Sequence, residues 1–180
     1  MPVRTDYAAR VRLLGWDGLR ELWERSARGP VPGWPPGRAF EHLVLRAFEL
    51  DGAEVRWPFE VSFGDAVVEQ IDGAVYAGHL SCIVEAKDTM APVDVGALAK
   101  MRNQLARRPA GTLGLMFARS KFTSSAVALA AFFAPQTVLL WRGRELQACL
   151  ERESIVPTLE AKFRECVEEG APQPSEIKGD

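Results

Sequence analysis

The sequence predicts an α/β domain, a mixed central sheet with helices on both faces. Three observations lead there. Apolar residues recur at the helical period up to residue 50 and switch to a period of two from residue 54. A continuous apolar run at 111–118 (GTLGLMFA) suits a strand buried on both faces. The segments around that run alternate between helix and strand, the order of a sheet covered by crossover helices. A chain of 180 residues, 47% of them hydrophobic, can bury one substantial core, so a single domain with short appendages is expected.

Element by element, residues 8–28 read as one amphipathic helix, with Val11, Leu14, Leu19, Leu22 and Trp23 near the helical period. The stretch GPVPGWPPG at 29–37 is dense in breakers and reads as a loop. Helix resumes over 38–50 with Phe40, Leu43, Val44, Ala47 and Phe48 as its apolar stripe. Three strands of a meander follow at 54–61, 66–76 and 80–87. Then come a helix at 94–108, the buried strand, an alanine-rich helix at 123–134 with Thr123 as N-cap, and a short strand at 138–141. Residues 145–169 form one or two acidic helices, and 170–180 are expected to fray. The expected organisation is an N-terminal helical arm and Pro/Gly loop (1–36), the α/β domain (37–150) and an acidic tail (151–180).

No run of eighteen apolar residues and no secretory pattern is present, so a cytoplasmic protein without a membrane partner is expected. Cys82, Cys149 and Cys166 stand far apart and suggest neither a disulfide framework nor a zinc site. The net charge of −2 conceals a segregation. Residues 1–95 carry ten basic and fifteen acidic side chains, 96–144 carry eight basic and none acidic, and 145–180 carry four and nine. The cationic middle is either a set of solvated positions or a surface for a polyanion.

If Ala77-Gly78 is the loop joining the second and third strands, Tyr76 faces His79, and Gln70, Asp72, Ile83, Glu85 and Lys87 share one face. The other face then carries Val67, Glu69, Ile71, Val84 and Ala86. Asp72 meets Glu85 on the diagonal, and two carboxylates at that reach can hold one hard cation. A structural ion pair between Lys87 and a carboxylate is the other reading of the same residues, since buried charge must be compensated. His42, His79, Ser124 and Ser125 lack the partners of a nucleophile or zinc system and receive no role.

The strands QIDG and IVEAK, with the preceding helix carrying Glu41, resemble the motif of the PD-(D/E)XK nuclease superfamily. The segments GLMFARSKFTSSAVALAAF and VLLWRGRELQACL are similar to the later part of Mrr-type restriction endonuclease domains, and the likeness covers roughly residues 37–150. One departure is Ile71, which stands where the motif's name has proline; a proline there would be awkward in a paired strand.

The resemblance implies a restriction-endonuclease-like αβββαβ core and metal-dependent hydrolysis of DNA. Asp72, Glu85 and the Ala86 carbonyl would hold Mg²⁺ (Mn²⁺ possible), and Lys87 would orient the attacking water or stabilise developing charge. Glu41 would be the additional acidic residue, its alternative being a solvated helix carboxylate. Gln104 would contact phosphate or the lysine, its alternative being a solvent-facing side chain. Lys100, Arg102, Arg107, Arg108, Arg119 and Lys121 would contact DNA phosphates. A role in a bacterial defence complex is implied, with a structure-selective repair or junction nuclease and a catalytically silent nuclease-fold binding module as alternatives. The arm at 8–28 needs an apolar partner, either its own core or a second copy in a homodimer.

Overall fold

The computed structural model describes residues 6–132 and 135–170. The outer parts of the expected arm and tail, at 1–5 and 171–180, and the end of the helix expected at 123–134 lie outside the described residues. In chain order the elements are α1 (Tyr7–Arg12), α2 (Trp16–Arg28), α3 (Arg38–Leu50), β1 (Glu54–Arg56), β2 (Phe59–Phe63), β3 (Ala66–Ile71), β4 (Gly73–Ala77) and β5 (Leu80–Lys87). They continue with α4 (Val95–Leu105), β6 (Leu113–Ala118), α5 (Ser124–Ala131), β7 (Thr137–Arg142), α6 (Gly143–Arg152) and α7 (Ile155–Glu169).

Five strands form the central sheet in the order β1-β4-β5-β6-β7. The β1/β4 and β4/β5 pairs are antiparallel, while β5/β6 and β6/β7 are parallel. The parallel steps proceed in one direction through α4 and α5, and crossovers of one hand put both helices on the same face. That face buries Ile83, Leu98, Met101, Met116 and Leu140. The opposite face buries Phe40, Leu43, Val84, Phe117 and Trp141 beneath α3, together with side chains of α1, α2, α6 and α7. β6, sandwiched between the layers, is buried along its whole length, as its unbroken apolar run predicts. The result is the expected mixed sheet with helices on both faces.

Four local expectations change. The single helix of 8–28 is broken at Gly15, whose extended backbone caps α2, and the freed Leu14 carbonyl accepts Arg46 Nε–H at 3.1 Å. The strand of 54–61 divides at Trp57-Pro58, since proline cannot donate to a ladder, and its halves join different sheets. The strand of 66–76 divides at Asp72: β3 pairs with β2 in a separate hairpin, bulged at Val61/Ser62, while β4 enters the main sheet. The β4-β5 loop is Gly78-His79 rather than Ala77-Gly78, so Ala77 pairs with Leu80 and Tyr76 with Ser81. Gly78 has φ 57°, and the two-residue turn that takes glycine first wants a positive φ at that position.

The N-terminal segment finds its apolar partner within the chain. Val11, Leu19 and Leu22 are buried in the core beneath α3, and Leu159 of α7 joins the same cluster. The need that motivated a homodimer is met in this way. Among the described residues no helix is long and apolar enough to cross a membrane.

Candidate active site

β5 delivers three side chains to the α4 face. Its alternation sends Cys82, Val84 and Ala86 into the core beneath α3, and Ile83, Glu85 and Lys87 to the other side. Asp72 sits at the break between β3 and β4, and continuing the observed Gly73↔Val84 pairing by one step sets it opposite Glu85 rather than on the diagonal. The backbone can change sheets at that point because Gly73 has no side chain. A Cβ there would lie 2.5 Å from Leu45 of α3 and 3.1 Å from the Arg56 carbonyl. The break also alters the face expected for β3: Ile71 packs with Ile83, and Glu69 turns toward α4.

Asp72 Oδ2 accepts the Ala86 N–H at 2.8 Å. Glu85 is 2% exposed and is bracketed by two ammonium groups, Lys87 Nζ at 2.6 Å from Oε1 and Lys100 Nζ at 2.8 and 3.0 Å from the two oxygens. Glu41, on the first turn of α3, accepts from Arg38 Nη1 at 2.7 Å. These six side chains, Arg38, Glu41, Asp72, Glu85, Lys87 and Lys100, line one cavity of about 400 Å³.

Crowding three carboxylates into this space shifts their chemistry. Burial first, and then the charges of Glu85 and Glu41, push Asp72 up to about 7, against the pull of the Ala86 N–H and Lys100. Burial also raises Glu41, with Arg38 opposing. Burial would lower Lys87, but its bond to Glu85 and the charges of Glu85, Asp72 and Glu41 outweigh that and raise it. The centre thus favours any change that adds positive charge beside Asp72.

The chain matches a known protein family. The profile of the restriction endonuclease family, Mrr catalytic type, matches residues 36–150. The chain belongs to the restriction endonuclease family. No match is found among curated proteins. The crystal structure of protein of unknown function AF1548 is similar with a TM-score of 0.50 and 18% identity, over 72% of this chain and 76% of that one. MspJI restriction endonuclease, solved in complex with a 27-mer oligonucleotide, gives a TM-score of 0.45 and 18% identity, with 96% of this chain aligned to 37% of that protein. The mixed sheet and its flanking helices are those of a restriction-endonuclease-like fold.

For a member of this family the donor set at the cavity is informative. Asp72 and Glu85 carry oxygens of the hard type that a cation such as Mg²⁺ takes, and Glu41 adds a third carboxylate on the same cavity wall. Among the described residues no three His, Cys, Asp or Glu side chains close into a metal cage. Two carboxylates with room for waters and a substrate phosphate are the ordinary setting for Mg²⁺, so the residues fit such an ion.

The remaining expected residues of this restriction endonuclease domain are dispersed. Gln104 is buried, and its Nε2 reaches the Gln70 carbonyl of β3 at 3.4 Å, so it braces the hairpin rather than facing solvent. Arg107 and Arg108 both pair with buried Glu69, Arg108 at 2.7 Å. Arg119 is turned inward, with Nε on Asp88 at 2.5 Å, Nη2 on Ser26 at 2.8 Å and the guanidinium stacked over Trp23 and Phe40. Its backbone N–H also bonds the Lys87 carbonyl at 2.9 Å, so it holds the end of β5. Arg102 and Lys121 are exposed. One site residue, Arg38, escaped sequence reasoning. Its only signal was the i,i+3 spacing to Glu41. Lys100 was expected as a phosphate contact, and its pairing with Glu85 depends on the path of α4.

Proposed function

We propose that this restriction endonuclease domain hydrolyses phosphodiester bonds of DNA with a divalent cation, Mg²⁺ or Mn²⁺, as part of a bacterial restriction or defence system. The observation that carries the reading is the meeting of Asp72, Glu85 and Lys87 at one cavity of about 400 Å³, with Lys87 Nζ 2.6 Å from Glu85. Asp72 and Glu85, with the Ala86 carbonyl, would hold the cation. The ion when bound would supply an activated water and neutralise charge growing on the phosphoryl oxygens.

The chain's own groups do the rest. Lys87, a protonated ammonium on the cavity wall, donates hydrogen bonds to the attacking water or to a non-bridging oxygen. The Ala86 N–H fixes Asp72, so the carboxylate needs little reorganisation when substrate arrives. Glu41 offers an acceptor for a water, and Arg38 holds it in place. Arg102 and Lys121 are exposed, and a cation at either position can contact phosphate, which fixes a backbone without reading its sequence. Arg107, Arg108 and Arg119 act structurally in this reading, because each is engaged by a carboxylate of the fold.

The test is incubation of the purified protein with supercoiled plasmid and with single-stranded DNA, with Mg²⁺ or with chelator, beside Asp72→Ala and Lys87→Ala. Metal-dependent nicking or linearisation that both variants lose supports the proposal. Cleavage that survives in either variant contradicts the assigned site, and binding without cleavage favours a silent nuclease-fold module.

A further inference from the structure

Glu85 is held in an unusual way for a residue that would ligate a metal. It is almost fully buried, and both of its oxygens are already engaged by ammonium groups. Lys87 approaches from two residues along the same strand and touches Oε1. Lys100 comes from α4, in the crossover that follows β5, and spans both oxygens. The two lysines are not equivalent. Lys100 has the more exposed side chain, 48% against 37%, and lies on a separate element, so it can leave Glu85 by side-chain rotation alone.

Charge arithmetic gives Lys100 a reason to be there. With every group ionised, the cavity is lined by four negative groups, Glu41, Glu60, Asp72 and Glu85, and three positive ones, Arg38, Lys87 and Lys100. Without a metal that lining is only one positive charge short of balance. A divalent cation drawing on Glu85 seeks the same two oxygens that Lys100 occupies, and its arrival leaves the cavity with a surplus of positive charge suited to an anionic substrate.

We propose that Lys100 is an exchangeable counter-ion: it occupies Glu85 in the metal-free protein, is displaced when a divalent cation binds, and is then free to engage the scissile phosphate. This rests on the metal-dependent reading above and names the group within the chain that competes with the ion. Lys100 therefore weakens metal binding and strengthens the charge presented to substrate, two effects of opposite sign from one side chain. It keeps the carboxylate paired when no metal is present, because an unpaired buried carboxylate is costly.

The test measures metal binding directly, without turnover. Isothermal titration of Ca²⁺ and Mn²⁺ into wild type and Lys100→Met is expected to show about tenfold tighter binding in the variant, the scale of removing one competing partly exposed charge. Lys100→Arg, which keeps the charge, should return the affinity to within about threefold of wild type. In parallel, the side-chain ¹⁵N signal of the Lys100 ammonium in wild-type protein should shift on Ca²⁺ addition while that of Lys121 does not. This second readout decides the matter even if Lys100→Met fails to fold. Unchanged or weaker metal binding in a folded Lys100→Met, or a Lys100 signal indifferent to Ca²⁺ that wild type demonstrably binds, overturns the proposal and leaves the nuclease reading standing. If neither protein binds a divalent cation, both fall together.

Discussion

The Asp72 carboxylate accepts the Ala86 N–H at 2.8 Å at the point where the chain leaves the β2-β3 hairpin and enters the main sheet. One bond therefore ties the strand break to β5, between Glu85 and Lys87. Burial beside two other carboxylates pushes the Asp72 pKa from 3.8 to about 7, against the pull of that bond.

That shift has a sign for stability. The folded metal-free protein retains a proton on Asp72 that the unfolded chain releases near pH 4. Stability is thus full below about pH 4 and is lost as pH rises toward 7, with little further change above. At about 1.4 kcal/mol per unit the whole effect is a few kcal/mol. Urea denaturation in chelator should show this decline, and Asp72→Asn, which keeps an acceptor for the Ala86 N–H, should remove it. The variant is expected to be about 1–3 kcal/mol more stable than wild type at pH 8 and inactive, a trade of stability for function.

Gly73 allows α3 and β4 to approach beside the site. Gly73→Ala would bring a methyl group within 2.5 Å of Leu45, and the required shift should cost about 1–3 kcal/mol. Because Asp72 is the adjacent residue, cleavage should fall by more than the stability loss explains. Activity measured at a temperature where the variant is fully folded checks this.

The segment before α3 belongs to the folding unit. Leu19 is fully buried against the core, so Leu19→Ala should cost about 2–5 kcal/mol in urea denaturation. A change below about 1 kcal/mol would mean instead that α2 is a detachable arm.

Lys162 of α7 reaches Glu145 of α6 at 2.6 Å, with both side chains at least nine-tenths buried, while Glu145 also accepts the Arg142 N–H at 2.8 Å. Lys162→Met should cost about 3–5 kcal/mol by stranding a buried carboxylate, and Lys162→Met with Glu145→Gln should recover much of it. Thermal denaturation of the two single variants and the double variant measures that coupling.

Much of the fold was legible because periodicity reports burial. β5, β6, α3 and the Thr123 cap stand where the pattern puts them. Breaks were harder to see. Trp57-Pro58 carried a visible signal in its proline, but 66–76 alternates smoothly through Asp72, and nothing local marks that the chain changes sheets there. The β4-β5 register turned on whether Gly78 comes first or second in the loop, which one glycine in a sequence leaves open. The pairing of the cationic stretch was hidden for a different reason. Counting charges along the chain cannot reveal that Glu69 and Asp88, distant in sequence, are waiting for Arg107, Arg108 and Arg119.

The proposed chemistry is tested most directly by single-turnover cleavage of a duplex oligonucleotide in saturating Mg²⁺, comparing wild type with Lys87→Met and Glu85→Gln after each is shown to be folded. Loss of at least about a hundredfold in rate in both variants, with no cleavage by any protein in chelator, is the outcome this account predicts. A Lys87→Met rate within a few-fold of wild type would contradict it.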